Sequence, residues 1–228
     1  MKNNKWVSLI VNSIFAGVCI AFAAILYLYA LTFTVQQSAL ERAVYGLLFG
    51  FGLYFIIVME YKLFTGIVAG AVDMKPRDYV QLLVCYVFNT VGIVIIGLML
   101  WCIQNGMSKA VIAKAVSVTE AKLSNNLLGS FFSAVFCGMM ITFAVKSHQP
   151  ARAKGLSGTL GIIFPVLVFV YMGFEHCIAN QAYIFLAIIG GANISVGRLL
   201  LFMLITALGN VCGGITFPLF TKLIKKDG

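Results

Sequence analysis

Apolar residues run along this chain in blocks of roughly twenty or more, separated by short polar connections, the length that crosses a bilayer as a helix. Six such spans are predicted, near residues 7–33, 43–71, 79–103, 124–145, 158–189 and 198–220. The first, third, fourth and sixth read as plain helices. The second and fifth are too long for one crossing and carry polar residues inside, MEYKLFTG at 59–66 and GFEHCIAN at 173–180. Each is expected to be two apolar stretches flanking a polar hinge.

The halves echo each other. Each has a plain span, an interrupted span and a span bearing Asn-x-x-Gly, NTVG at 89–92 and NVCG at 210–213. Three spans per half put the halves in opposite orientations. The pattern therefore predicts a single domain over 1–228 built as an inverted repeat, approximately 7–103 and 124–220, whose broken helices meet near the midplane. Irregular backbone at that depth is tolerated where it packs in protein or lines a wet cavity. Two matched breaks with ionisable residues favour a permeation path over a structural kink. Glu175 is expected to accept hydrogen bonds from freed backbone N–H groups. His176, which can donate, accept or titrate, is the better pathway candidate.

Composition fixes the solvent. Of 228 residues, 61% are hydrophobic and 10% charged, against about 25% charged in soluble domains; mean hydropathy is +1.01. This is an all-α integral membrane protein. The apolar run after Lys2 and Lys5 is too long for a signal h-region, so no cleavable leader is expected.

The net charge of +9 is scattered through short loops with no aromatic-interleaved basic face, which argues against nucleic acid as a partner. Lys2, Lys5, Lys75, Arg77, Lys146, Arg152, Lys154, Lys222, Lys225 and Lys226 fall on one side, and Arg42, Lys109, Lys114, Lys122 and Arg198 on the other. That asymmetry predicts cytoplasmic N- and C-termini in a multi-pass protein of the plasma (inner) membrane. Cys19, Cys85, Cys102, Cys137, Cys177 and Cys212 lack CxxC spacing and read mostly as buried free thiols. With two histidines, one of them His148 in the basic loop, metal or His-based enzyme chemistry is poorly supplied. No metal site or cofactor is expected.

The stretches GLLFGFGLYFIIVMEYKLFTG (46–66), FNTVG (88–92), FPVLVFVYMGFEHCIAN (164–180) and LGNVCGG (208–214) resemble, in order, the formate/nitrite transporter family. The resemblance implies an aquaporin-like six-helix protomer in a homopentamer, each protomer with its own pore for small monovalent anions such as formate, nitrite, hydrosulfide or lactate. It implies a central His176 with Thr65 as its partner on the other broken span. Apolar constrictions are implied at Phe49, Leu53, Leu63, Phe64 and Phe169. Asn89, Asn210 and Asn180 take structural polar roles, the first two bonding the broken-helix backbones. The alternatives are the same fold passing water or another neutral solute, and a multi-pass membrane enzyme.

Three departures stand out. Family members usually read E-L-F-T-G-N, whereas this chain has Lys62 for the acid and Ile67 for the Asn. Glu60 either pairs with Lys62, or Lys62 adds positive charge to the anion route. Lys114 and Lys122 compete for the lysine that gathers anions at the outer vestibule. The connection from GFEHCIAN to the sixth span is short.

An anion crossing apolar constrictions meets a desolvation cost on the order of 20 kcal/mol, several after relaxation. Protonating a carboxylate of pKa ~3.9 at neutral pH costs roughly 4 kcal/mol. Passage as the neutral acid is thus competitive, the proton coming from water or from His176.

Overall fold

The computed structural model describes residues 4–34, 37–148 and 155–224. Among these the chain is helical, with no strand. Helix α1 (Lys5–Ala30) starts at Asn4, whose side chain accepts from Trp6 N–H, and runs on through a 3₁₀ turn at Leu31–Phe33. Helix α2 (Ala39–Val58) opens with a capping box, in which Ser38 and Glu41 each accept the other's backbone N–H. After a break comes the five-residue α3 (Phe64–Val68), then α4 (Val80–Ile103). The second half holds α5 (Gly106–Ser124), α6 (Leu127–Ser147), α7 (Leu156–Tyr171), α8 (Cys177–Ile189) and α9 (Val196–Ile224).

Among the described residues, five segments are long and apolar enough to cross a membrane: Lys5–Phe33, Ala39–Val58, Pro76–Ile103, Leu127–Ser147 and Val196–Ile224. Helices α7 and α8 are shorter apolar helices. Large apolar side chains such as Phe22, Phe51, Leu98, Phe132 and Leu204 are exposed on the outside of the single chain, as lipid or neighbouring copies require.

Helix α5 corrects the sequence reading, which left 104–123 as a connection. Its signal was present: Ser108, Val111, Ala115 and Thr119 are buried at helical spacing. Of the residues counted for orientation, Lys2, Arg152, Lys154, Lys225 and Lys226 lie outside the described residues. Lys5 pairs with Asp78, and Lys222 with Asp73, so both ends of the described chain meet the 71–78 connection on one face of the bundle. The hydrogen bond from Lys222 holds the exposed Asp73 carboxyl below its ordinary range. Arg198, in the first turn of α9 at the opposite end, donates to the carbonyls of Leu123 and Asn125.

Helices α1 and α4 pack together, as do α6 and α9, and glycines set their approach. A Cβ on Gly17 would overlap the Asn89 carbonyl oxygen, and one on Gly138 the Asn210 carbonyl oxygen. Small residues at such crossings let backbones touch, which is how helices associate where surrounding lipid offers no hydrophobic drive.

Candidate functional site

The two breaks close in the same way. Helix α2 ends with Glu60 in the left-handed region (φ 57°) and Tyr61 N–H bonded back to the Ile56 carbonyl at 2.9 Å. Helix α7 ends with Gly173 (φ 68°) and Phe174 N–H bonded to the Phe169 carbonyl at 2.8 Å. Both are helix ends in which a left-handed residue turns the chain and satisfies an orphan carbonyl.

The asparagines then hold the freed backbone. Asn89 donates to the carbonyls of Ser13 (2.8 Å) and Lys62 (3.0 Å) and accepts from Phe64 N–H (2.9 Å). Asn210 donates to those of Ala134 (2.7 Å) and Glu175 (2.8 Å) and accepts from Cys177 N–H (2.8 Å). Both side chains are fully buried, and an amide is suited to the task because it carries donors and an acceptor together.

These anchors bring α3 and α8 head to head. His176 caps α8, its Nδ1 accepting from Ala179 N–H at 3.1 Å. Nδ1 therefore presents a lone pair, which places the ring proton on Nε2. Nε2 lies 3.1 Å from Thr65 Oγ1 in the first turn of α3. With Thr65 accepting from the imidazole, its own hydroxyl proton is free to meet an incoming oxygen. Both residues are buried.

Cavities lie on either side of this pair. Towards the Arg198 face is a small one of about 40 Å³, bounded by Tyr27, Lys122, Phe169, Asn180 and Tyr183 as well as His176. It is large enough for a water-sized group. Towards the face that gathers both ends of the described chain is one of about 550 Å³, with Leu53 and Leu63 in its wall and Glu60, Lys62 and His148 along it.

Of the apolar residues singled out in the sequence, Phe169 stacks on the His176 ring (centroids 5.7 Å apart) and meets Phe49 edge-on at 5.7 Å. Phe64 packs edge-on against Tyr86 at 5.1 Å and lines neither of these two cavities. Tyr27 and Tyr183, not singled out from the sequence, complete the aromatic wall of the smaller one. Ordinary apolar packing gives a tyrosine no distinguishing pattern along the chain.

One expectation needs correction, and two others are narrowed. Among the described residues the Glu175 carboxylate accepts from no backbone N–H: its Oε2 takes Lys122 Nζ at 2.6 Å and Asn180 Nδ2 at 3.0 Å. Glu175 N–H instead donates to Ser133 Oγ at 3.1 Å, a contact the sequence did not suggest. Lys62 and Glu60 form no ion pair among the described residues, although they line the same cavity. Of the cysteines, Cys85, Cys137 and Cys177 are buried, Cys19 partly so, and Cys102 and Cys212 are exposed; all are free. Lys114 and Lys122 differ in their surroundings. Lys122 continues the buried stripe of α5 and reaches Glu175, whereas the Lys114 ammonium has no ion pair among the described residues.

Two helix breaks meeting at a buried hydroxyl–imidazole pair, in a bundle of long apolar helices, belong to a multi-pass membrane protein. Residues 1–224 match the family described as formate/nitrite transporter, and the chain belongs to that family. Among relatives, it is 28% identical over 239 residues to a probable formate transporter of Methanothermobacter thermautotrophicus, covering 91% of this chain and 85% of that one. The formate channel FocA of Haemophilus influenzae is 27% identical, covering 78% of this chain and 66% of its own. An uncharacterized transporter of Saccharomyces cerevisiae, YHL008C, is 24% identical over 95% of this chain, which spans 37% of that relative's length. Among solved structures, a pentameric formate channel with formate bound superimposes with a TM-score of 0.85 at 24% identity, over 99% of both chains. An FNT family ion channel matches with a TM-score of 0.81 at 23% identity, over 94% of this chain and 88% of that one.

Proposed function

We propose that this chain is a channel for small monovalent anions of the formate and nitrite class, one pore per protomer in a homopentamer of the cytoplasmic membrane. The observation that carries this reading is the Thr65–His176 contact, buried between two cavities at the point where both helix breaks meet. Relatives named as formate channels and transporters, and the fold shared with a pentameric formate channel, support it. In this reading the six spans are α1, α2 with α3, α4, α6, α7 with α8, and α9, arranged as an inverted repeat. The face bearing Lys5 and Lys222 is cytoplasmic, following the Lys and Arg asymmetry.

The chemistry follows from the side chains. An anion entering the smaller cavity meets Lys122, whose charge is shared with Glu175, so attraction is local and release remains easy. Phe49 and Phe169 on one side and Leu53 and Leu63 on the other exclude water and penalise a bare charge. The hydroxyl proton of Thr65, left free because its oxygen accepts from His176 Nε2–H, faces the permeant oxygen. Passage as the neutral acid avoids most of the desolvation cost, which is on the order of 20 kcal/mol for an ideal burial of charge.

Flux of formate, nitrite, hydrosulfide and lactate into proteoliposomes tests the reading. Saturable flux of one or more of these is expected. Water permeation without any anion flux would overturn it.

A further inference from the structure

The halves correspond residue by residue at their breaks, and two corresponding pairs differ in charge. Lys62 stands where the second half has Glu175, since the carbonyl of each accepts from an asparagine amide. Glu60 stands where it has Gly173, each being the left-handed residue that ends a helix. Around Glu175 the charge is balanced by Lys122. Around Lys62 it is not: neither Lys62 nor Glu60 makes an ion pair or a side-chain hydrogen bond among the described residues.

Glycine adopts the left-handed conformation freely, and a Cβ penalises it. A glutamate kept there, with its carboxylate unspent on any partner, points to a task for the side chain. Both residues lie on the wall of the 550 Å³ cavity, joined by His148 from the end of α6. The same wall includes Leu53 and Leu63, so the cavity leads directly to the constriction.

We infer that this cavity is a second anion-binding subsite, taking a small monovalent oxyanion or carboxylate, with Lys62 and His148 as donors and Glu60 as the opposing charge that keeps binding weak. It rests on the transport reading above and adds a sided property to it. An ammonium alone at the mouth would hold the anion; an ammonium with a nearby unpaired carboxylate gathers it and lets it leave, which conduction requires. In this position the family's usual acid would repel the anion, so the subsite is a feature of this chain.

The test measures half-saturating formate concentration in inside-out and right-side-out membrane vesicles. Lys62→Gln is expected to raise it about two- to five-fold from the Lys62 face, and His148→Gln to raise it less. Glu60→Gln lowers it by a similar factor, and none of the three changes it from the Lys122 face. Opposite signs for Lys62 and Glu60 are the signature, because a merely structural role moves both variants the same way. Shifts of one sign, no shift, or equal shifts from both faces would overturn the subsite. Broadening of the ¹³C-formate resonance by purified protein separates the two readings. Lys62-dependent broadening without flux of any anion leaves the subsite standing and overturns transport. Flux with neither Lys62-dependent broadening nor a shifted half-saturation overturns the subsite alone.

Discussion

Asn89 and Asn210 make matching sets of hydrogen bonds in opposite halves of the bundle, each tying two plain helices to a break and to the first residue of the short helix after it. Leaving a buried donor or acceptor without its partner costs about 1–3 kcal/mol per group. Asn89→Ala and Asn210→Ala are therefore expected to lower thermal stability in detergent by comparable and large amounts. A variant at either position with the wild-type melting temperature would contradict the matched roles.

The glycine crossings predict a sharp contrast. Gly17→Ala and Gly138→Ala drive a methyl into a backbone carbonyl that cannot move without parting the helices. Neither variant is expected to yield assembled protein. Gly129→Ala meets nothing within 4 Å and should assemble as wild type does. Size-exclusion profiles of the three would decide the matter, and normal assembly of Gly138→Ala would count against the packing described.

For Lys122 the expected effect comes from its partner. Glu175 is buried and its carboxylate depends on Lys122 and Asn180. Lys122→Met strands that charge, and breaking a buried pair costs about 3–5 kcal/mol, less here because the lysine is partly exposed. Adding Glu175→Gln should recover part of the lost stability. Lys114→Met should leave the stability within about 0.5 kcal/mol of wild type. A Lys114 effect equal to that of Lys122 would show the pairing to be unimportant.

Glu60→Gly relieves the left-handed conformation and is expected to stabilise the protein by roughly 0.5–1 kcal/mol, seen as a raised Tm. Glu60→Gln keeps the backbone penalty and should melt like wild type. Equal melting of Glu60→Gly and wild type would mean the conformation carries no cost here.

His176→Asn retains hydrogen bonding at the end of α8 and opposite Thr65 but cannot titrate. If the imidazole takes up the proton during transport, anion flux through the variant loses its pH dependence. If His176 serves only as a hydrogen-bond donor, flux falls modestly and the pH profile persists. Wild-type flux with a wild-type pH response in an assembled variant would remove His176 from the transport step. Phe169→Ala supplies the comparison: widening the wall should raise leakage without altering that response.

Hydropathy alone placed the long apolar helices, because burial in lipid demands long uninterrupted apolar runs. The Asn-x-x-Gly echo likewise pointed to the anchors that the two halves share. Helix α5 was missed for the opposite reason: it is short of apolar residues, and only its stripe of Ser108, Val111, Ala115 and Thr119 signalled a buried face. That stripe continues to Lys122, so helical spacing held the information that separates it from Lys114. What Lys122 touches did not lie in any local pattern. Its partner, Glu175, lies 53 residues further along the chain, and a contact between distant segments exists only once packing has brought their helices together. Glu60 and Lys62 make the same point in reverse. Two residues apart, they read as a natural ion pair, yet the left-handed turn at Glu60 sets the directions of both side chains and leaves them unpaired on one cavity wall. Sequence determined the long apolar helices and the polar groups set between them; the backbone geometry where α2 and α7 end decided which of those groups meet.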